Sequence, residues 1–197
     1  MPAWNGIGAD EPWHHDAMEE SKSRRYVIVG GPGVGKTTVA SALAQQCDLV
    51  RVELDELCWG PHWTSADSSE LRARVSARID HVDGWVADGN YLDEVCSMLW
   101  GSADVIVWLD LPRRTRFVRA VRRSSRRVIS RQELWNGNRE TWRVLTPSSL
   151  RALWRRWPDY PRRIETLLRA DPTYADKLVR LSSQREIVSW TTEQQLG

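Results

Sequence analysis

An α/β fold, with a mainly parallel sheet covered by helices on both faces, is predicted for this 197-residue chain. Three observations predict it. Short β-prone runs alternate with helical periodicity from Tyr26 to Trp190. A glycine-rich turn, Gly30-Gly31-Pro32-Gly33-Val34-Gly35-Lys36-Thr37, joins the first run to the first helix. Finally, Gly30, Asp55, Asp88 and Asp110 all fall where a strand is expected to end. In parallel sheets ligands lie beyond the carboxyl ends of the strands, so these residues should converge on one cleft.

Taken in order, residues 1–23 are polar, interrupted by Gly and Pro, and aperiodic, and read as a flexible extension preceding a domain over 24–197. His14-His15 has no further ligand nearby and reads as solvated tail. Tyr26-Val27-Ile28-Val29 is the first strand, and Lys36 to Gln46 the first helix, with Val39, Ala40 and Leu43 toward the sheet. Leu49 to Leu54 alternates as a second strand ending at Asp55. Trp59, Pro61 and Trp63 occupy a loop, and Asp67 with Glu70 caps a helix whose apolar face is Leu71, Val75, Ile79 and Val82. Trp85-Val86-Ala87 is a short strand running into Asp88-Gly89-Asn90-Tyr91, and Val105 to Leu109 is the most apolar strand, ending at Asp110. Pro112 opens a helix with Phe117, Val118, Val121 and Val128 on one side and Arg116, Arg119, Arg123 and Arg127 on the other. After the polar loop Asn136-Gly137-Asn138, helices are expected near 149–157 and 161–169, a last strand over 177–181, and a terminal helix near 185–190.

Charge is distributed unevenly. Residues 1–112 carry 8 basic and 18 acidic side chains, whereas residues 113–163 carry 16 arginines and 3 acids. Such a block points to phosphate, nucleic acid or an anionic surface. Like charges at helical spacing repel, so an anion should offset them; triphosphate is the economical one, with an RNA or DNA surface or plain solvation as alternatives. Cys47, Cys58 and Cys96 are few, odd in number and without metal-ligand spacing, as in a reducing, cytoplasmic compartment. No stretch is apolar enough to span a bilayer, and no membrane partner is expected.

The turn fits G-x-x-x-x-G-K-[ST], with Gly30, Gly35, Lys36 and Thr37 at the defining positions. Its amides and the helix dipole suit phosphate oxygens, so Gly31, Gly33, Val34, Gly35, Lys36, Thr37 and Thr38 are the candidate nucleotide contacts. Lys36 reaches the β- and γ-phosphates in such loops, and the Thr37 hydroxyl sits on Mg²⁺. Asp88 is the favoured second magnesium-associated acid, with Asp110 its competitor. Asp55 is the candidate general base for a hydroxyl acceptor, or an orienting group if the acceptor is already a phosphate. Glu53 is a further acid, and Trp59, Trp63 and Tyr91 either wall a planar acceptor or fold back as a hydrophobic loop.

On these residues the chain resembles the P-loop kinases that include adenylate and shikimate kinases, and more closely bacterial adenylate-kinase-like ATPases known as DNA topology modulation proteins. The matching stretches are Val27 to Thr38, Glu53-Leu54-Asp55 with Trp59, Pro61 and Trp63, Trp85 to Tyr91, Val105 to Pro112, and the arginine-rich segment beyond. The resemblance implies a five-stranded, three-layer P-loop NTPase fold, an acceptor-binding segment near 55–83 and a helical lid near 119–139. It implies ATP and Mg²⁺, with Arg119, Arg123, Arg127 and Arg139 closing from the lid on the transferring phosphoryl group. Asp88-Gly89-Asn90-Tyr91 stands where adenylate kinases have Asp-Gly-Phe-Pro-Arg. The arginine that grips an acceptor phosphate is missing, since Leu92 and Asp93 follow, which leaves a hydroxyl-bearing small molecule as acceptor. The expected activity is ATP- and Mg-dependent phosphotransfer to a nucleoside, nucleotide or hydroxylated metabolite by a monomer or homodimer. The rival expectation is an ATPase acting with nucleic acid through its arginines, and a third a relative that binds nucleotide for stability alone.

Overall fold

A computed structural model describes residues 24–90, 94–156 and 159–194; the predicted N-terminal extension and Tyr91 lie outside this range. The strands are β1 (Arg25–Val29), β2 (Val50–Glu53), β3 (Trp85–Asp88), β4 (Val105–Leu109) and β5 (Leu178–Leu181), all parallel in the order β2-β3-β1-β4-β5. The helices are α1 (Lys36–Gln46), α2 (Leu54–Cys58), α3 (Ser68–Ile79), α4 (Glu94–Ser102), α5 (Arg113–Ile129), α6 (Pro147–Arg156), α7 (Asp159–Ala170), α8 (Thr173–Asp176) and α9 (Gln184–Glu193). This is the α/β P-loop NTPase fold with its five-stranded parallel sheet.

Alternation along the strands builds two cores. Val27 and Val29 of β1, Trp85 and Ala87 of β3, and Ile106 and Trp108 of β4 face the layer holding Leu71 and Val75 of α3 and Leu99 and Trp100 of α4. Tyr26, Ile28, Val86, Val107 and Leu109 face the opposite layer with Val39, Ala40 and Leu43 of α1 and Ile187 of α9. Burial on both faces explains why β3 and β4 read as near-continuous apolar runs. Asp67 caps α3 by accepting the Glu70 amide at 2.8 Å, whereas the Glu70 carboxylate pairs forward with Arg74.

Two expectations are corrected here. β2 ends at Glu53, so Asp55 lies in the first turn of α2 and not at a strand end; Leu54 turns into the core and starts a helix. The second concerns α5, whose predicted apolar face turns inward only in part: Val128 is buried as expected. Val118 is exposed, whereas Arg116 and Ala120 are buried. Phe117 packs edge-on against Trp154 of α6, outside either core. Arg116, Ala120, Arg123 and Arg127 follow a 4-3-4 spacing along one side of the helix, buried at Arg116 and Ala120, half-buried at Arg127 and exposed at Arg123, and Arg119 falls off it.

Close approach to the glycine-rich loop selects that stripe. Gly33 has φ +80°, and a Cβ there would meet the Arg116 carbonyl and the Ala120 amide. At Gly35, φ is +101° with open space around the missing Cβ. Gly33→Ala should therefore destabilise the protein by more than Gly35→Ala, whose cost is left-handed strain of about 1–2 kcal/mol. Urea melts of the two variants check this, and equal losses would contradict the packing of α5 on the loop.

Candidate functional site

The site forms at the carboxyl ends of β1, β2 and β3. Gly35, in a left-handed conformation, is the N-cap of α1, so the helix opens with its unpaired amides and positive dipole end at the loop. Lys36 folds back over the loop and donates to the Gly30 carbonyl at 2.9 Å. Thr37, one residue on, donates its hydroxyl to Asp88 Oδ2 at 2.8 Å. This bond ties the first turn of α1 to the end of β3.

Asp88 is 3% exposed. Its Oδ1 has no hydrogen-bond partner among the described residues and lies 3.6 Å from the Arg51 guanidinium. Burial raises the carboxyl above its ordinary pKa, against the opposing pull of Thr37, Arg51 and Lys36, and Glu53 beside it in register adds to the rise. A buried carboxylate with an orphaned oxygen next to a hydroxyl suits a hard divalent cation or its water. Asp110, its competitor in the sequence, is occupied elsewhere: Arg180 binds its Oδ2 through Nη2 at 2.5 Å and Nε at 3.1 Å. The geometry therefore favours Asp88.

Lys36, Asp55, Asp88 and Arg123 share one electrostatic neighbourhood. Burial lowers the Lys36 pKa from 10.5 to about 8; Asp55 and Asp88 oppose the shift, and Arg123 reinforces it. Arg123 reaches the cleft from α5 with solvent access; surrounding protein and Arg127 lower its pKa, while Glu140 and Asp55 counter them. Arg127 belongs to the same stripe but is tied to Glu140 at 2.9 Å, with both side chains largely buried. Arg119 instead binds Gln184 of α9 at 3.0 Å, and Arg139 pairs with Glu133 on the surface at 3.3 Å. The structure thus brings Lys36, Thr37, Asp55, Asp88 and Arg123 together, and leaves Arg119 and Arg139 outside that group. Thr38 is exposed beside Thr37, and Gly31 and Val34 are buried in the loop. A Cβ at Gly89 would meet the Leu54 side chain, so its smallness serves packing between β3 and α2.

The predicted lid splits in two. Its first part is α5 itself, packed on the loop; its second is a hairpin closed by the Glu133–Arg139 bridge. The hairpin tip, Trp135-Asn136-Gly137-Asn138, docks on the loop between α2 and α3. Asn138, buried, accepts the Trp63 amide and donates to the Gly60 carbonyl, each at 2.8 Å. Asn136 donates to the Trp59 carbonyl at 2.5 Å. Trp59, Trp63 and Trp135 form a chain of edge-to-face contacts at 5.7 and 6.5 Å, and Trp135 Nε1 donates to Glu53 at 3.0 Å. Trp59 and Trp63 are thus the seat of the hairpin. Sequence reasoning missed Trp135 and Asn138; the only signal was a Trp three residues before an Asn at the end of a Gly turn.

Between the hairpin and the β2 end lies a cavity of about 470 Å³ lined by Glu53, Glu56, Arg127, Gln132, Glu133, Leu134, Trp135 and Asn136. Among the described residues no helix is long and apolar enough to cross a membrane.

Comparison with known proteins agrees with this fold and loop. Residues 26–99 match the family of ATPases associated with various cellular activities. Among solved structures, a gluconokinase from Sinorhizobium meliloti 1021 superposes with a TM-score of 0.52 at 18% identity, covering 89% of this chain and 91% of its own. An inferred kinase from Chloroflexus aurantiacus J-10-fl gives 0.52 at 16% identity over 88% and 98%. No curated relative matches the sequence. The fold is thus a nucleotide-binding P-loop fold of the kind found in small-molecule kinases.

The Lys36 shift has a measurable consequence. In the free protein the amine loses its proton near pH 8, and a triphosphate placed on it favours the charged form. Nucleotide binding should therefore take up protons between about pH 8 and 9.5, and affinity should fall as pH rises through 8. Calorimetry in buffers of different ionisation enthalpy should show this uptake in the native protein and not in Lys36→Ala. The same depression means that the unfolded chain binds more protons between about 8 and 10.5, so Lys36 adds stability to the nucleotide-free protein as pH rises across that window.

Proposed function

We propose that the protein is a Mg²⁺-dependent phosphotransferase that moves the γ-phosphoryl group of ATP to a small-molecule acceptor. The observation that carries this reading is the Thr37–Asp88 hydrogen bond, set beside Lys36 and within electrostatic reach of Asp55 and Arg123. The cavity beside Glu53, lined in part by the docked hairpin, supports this reading as a site for the acceptor. The kinase names of both structural neighbours support the same class.

Lys36 and the loop amides hold the triphosphate and neutralise its charge. Thr37 and Asp88 fit Mg²⁺, which when bound offsets charge on the β- and γ-phosphates. Asp55 orients the acceptor hydroxyl and takes its proton. Arg123 stabilises charge on the transferring group, a role in which a single arginine is worth orders of magnitude in rate. The hairpin excludes water, which favours transfer over hydrolysis. Protein chemistry here is positioning and electrostatics. We place the protein in the cytoplasm, a reading supported by its three cysteines, which are not in disulfides and of which Cys58 and Cys96 are buried.

The test is turnover of [γ-³²P]ATP with Mg²⁺ against nucleosides, nucleoside monophosphates and small hydroxylated metabolites. A labelled acceptor should form and be lost in Lys36→Ala; Asp55→Asn should lower kcat by about 10²–10⁴-fold. Phosphate release that ignores every acceptor and rises with nucleic acid would favour an ATPase working through exposed arginines such as Arg114, Arg122 and Arg126.

A further inference from the structure

The cavity beside the β2 end carries a chemical signature of its own. Three carboxylates, Glu53, Glu56 and Glu133, line it, against one cation, Arg127. That cation is engaged by Glu140 at 2.9 Å and stands 5.8 Å from the Trp135 ring centre. Glu140 Oε2 is buried without a hydrogen-bond partner among the described residues. Each lining carboxylate pairs with an arginine outside the lining set: Glu53 with Arg51 at 2.7 Å, Glu133 with Arg139 at 3.3 Å and Glu56 with Arg78 at 3.6 Å.

Hydrogen-bonding capacity points the same way. An ionised carboxylate only accepts, and each of these has lone pairs beyond the one its arginine takes. Two of the donors at hand are spent within the protein, Trp135 Nε1 on Glu53 and Asn136 Nδ2 on the Trp59 carbonyl, which leaves the Gln132 amide and the Arg127 guanidinium against the three carboxylates. A ligand rich in donors suits this lining, and one that brings a negative charge close to Glu53 and its register neighbour Asp88 does not. The volume, about 470 Å³, takes a six-carbon sugar or a nucleoside.

Building on the phosphotransferase reading, we infer that the acceptor is a polyhydroxylated molecule without negative charge, a neutral sugar or polyol or its amine-bearing counterpart. Nucleoside monophosphates, sugar acids and sugar phosphates are excluded from the cavity by its carboxylates. Phosphoryl transfer joins an acceptor hydroxyl oxygen to the γ-phosphorus as the bond to the β-γ bridging oxygen breaks, with the hydroxyl proton passing to Asp55.

The experiment measures label transfer from [γ-³²P]ATP by the full chain to matched sets: a hexose, its amino sugar, its aldonic acid and its phosphate, and a nucleoside with its monophosphate. The uncharged or amine-bearing member should exceed its anionic partner by about 100-fold or more in kcat/KM. Glu133→Gln should raise KM for the amino sugar more than for the neutral sugar, a split that a merely structural role would not produce. Preferred transfer to an anionic member would overturn this inference and leave the phosphotransferase standing. Phosphate release with no labelled acceptor in any set would overturn both.

Discussion

The hydrogen bond from the Thr37 hydroxyl to the Asp88 carboxylate is the constraint on which the rest of the site depends. It fixes α1 against the end of β3, and so fixes where the loop amides and Lys36 point. A hydrogen bond to a charged group contributes about 1.5–3 kcal/mol, and Asp88 has only one such bond for two oxygens. Burial wins: the carboxyl is raised despite Thr37, Arg51 and Lys36. A site in which desolvation outweighs every protein partner is one that a divalent cation would relieve. Lys36, depressed to about 8, shows the converse, a cation whose burial exceeds the compensation from Asp55 and Asp88 and which a triphosphate would relieve. A triphosphate carrying a divalent cation would relieve both.

The arginine block has a more divided role than its sequence implies. Of four arginines on one predicted face, Arg116 is buried against the loop, Arg119 turns to Gln184, Arg127 is neutralised by Glu140, and Arg123 stands in the cleft. Two of the three acids in the block, Glu133 and Glu140, are the partners of Arg139 and Arg127. Much of the expected repulsion on this face is therefore settled inside the protein, and of these four it is Arg123 that stands in the cleft. The acids do a second job, because they set the charge of the neighbouring cavity.

The sheet and its loop were legible because each rests on a local signal. The glycine-rich turn needs backbone conformations with positive φ, seen at Gly30, Gly33 and Gly35, and these leave a fixed spacing in the chain. β3 and β4 are buried on both faces and show as unbroken apolar runs. Where tertiary contact decides, the sequence misled. Helix α5 presents arginines inward because the loop at Gly33 admits a close backbone approach, and no periodicity in α5 reports what it will pack against. Helix α4 went unseen: Val95, Cys96, Leu99 and Trp100 are buried, but the stretch is short and ends in Gly-Ser. The docking of Trp135 and Asn138 on Trp63 and Gly60 joins residues some 75 positions apart, beyond any local pattern.

The central claim is that Thr37 and Asp88 act as one unit in holding magnesium with the triphosphate. The most direct measurement is a double-mutant cycle on ATP affinity with and without Mg²⁺, using Thr37→Val, Asp88→Asn and the pair. Each single change should remove the gain in affinity that Mg²⁺ confers, and the double variant should lose little more than either alone. Losses that add independently, or a gain that survives in Asp88→Asn and disappears in Asp110→Asn, would contradict the account.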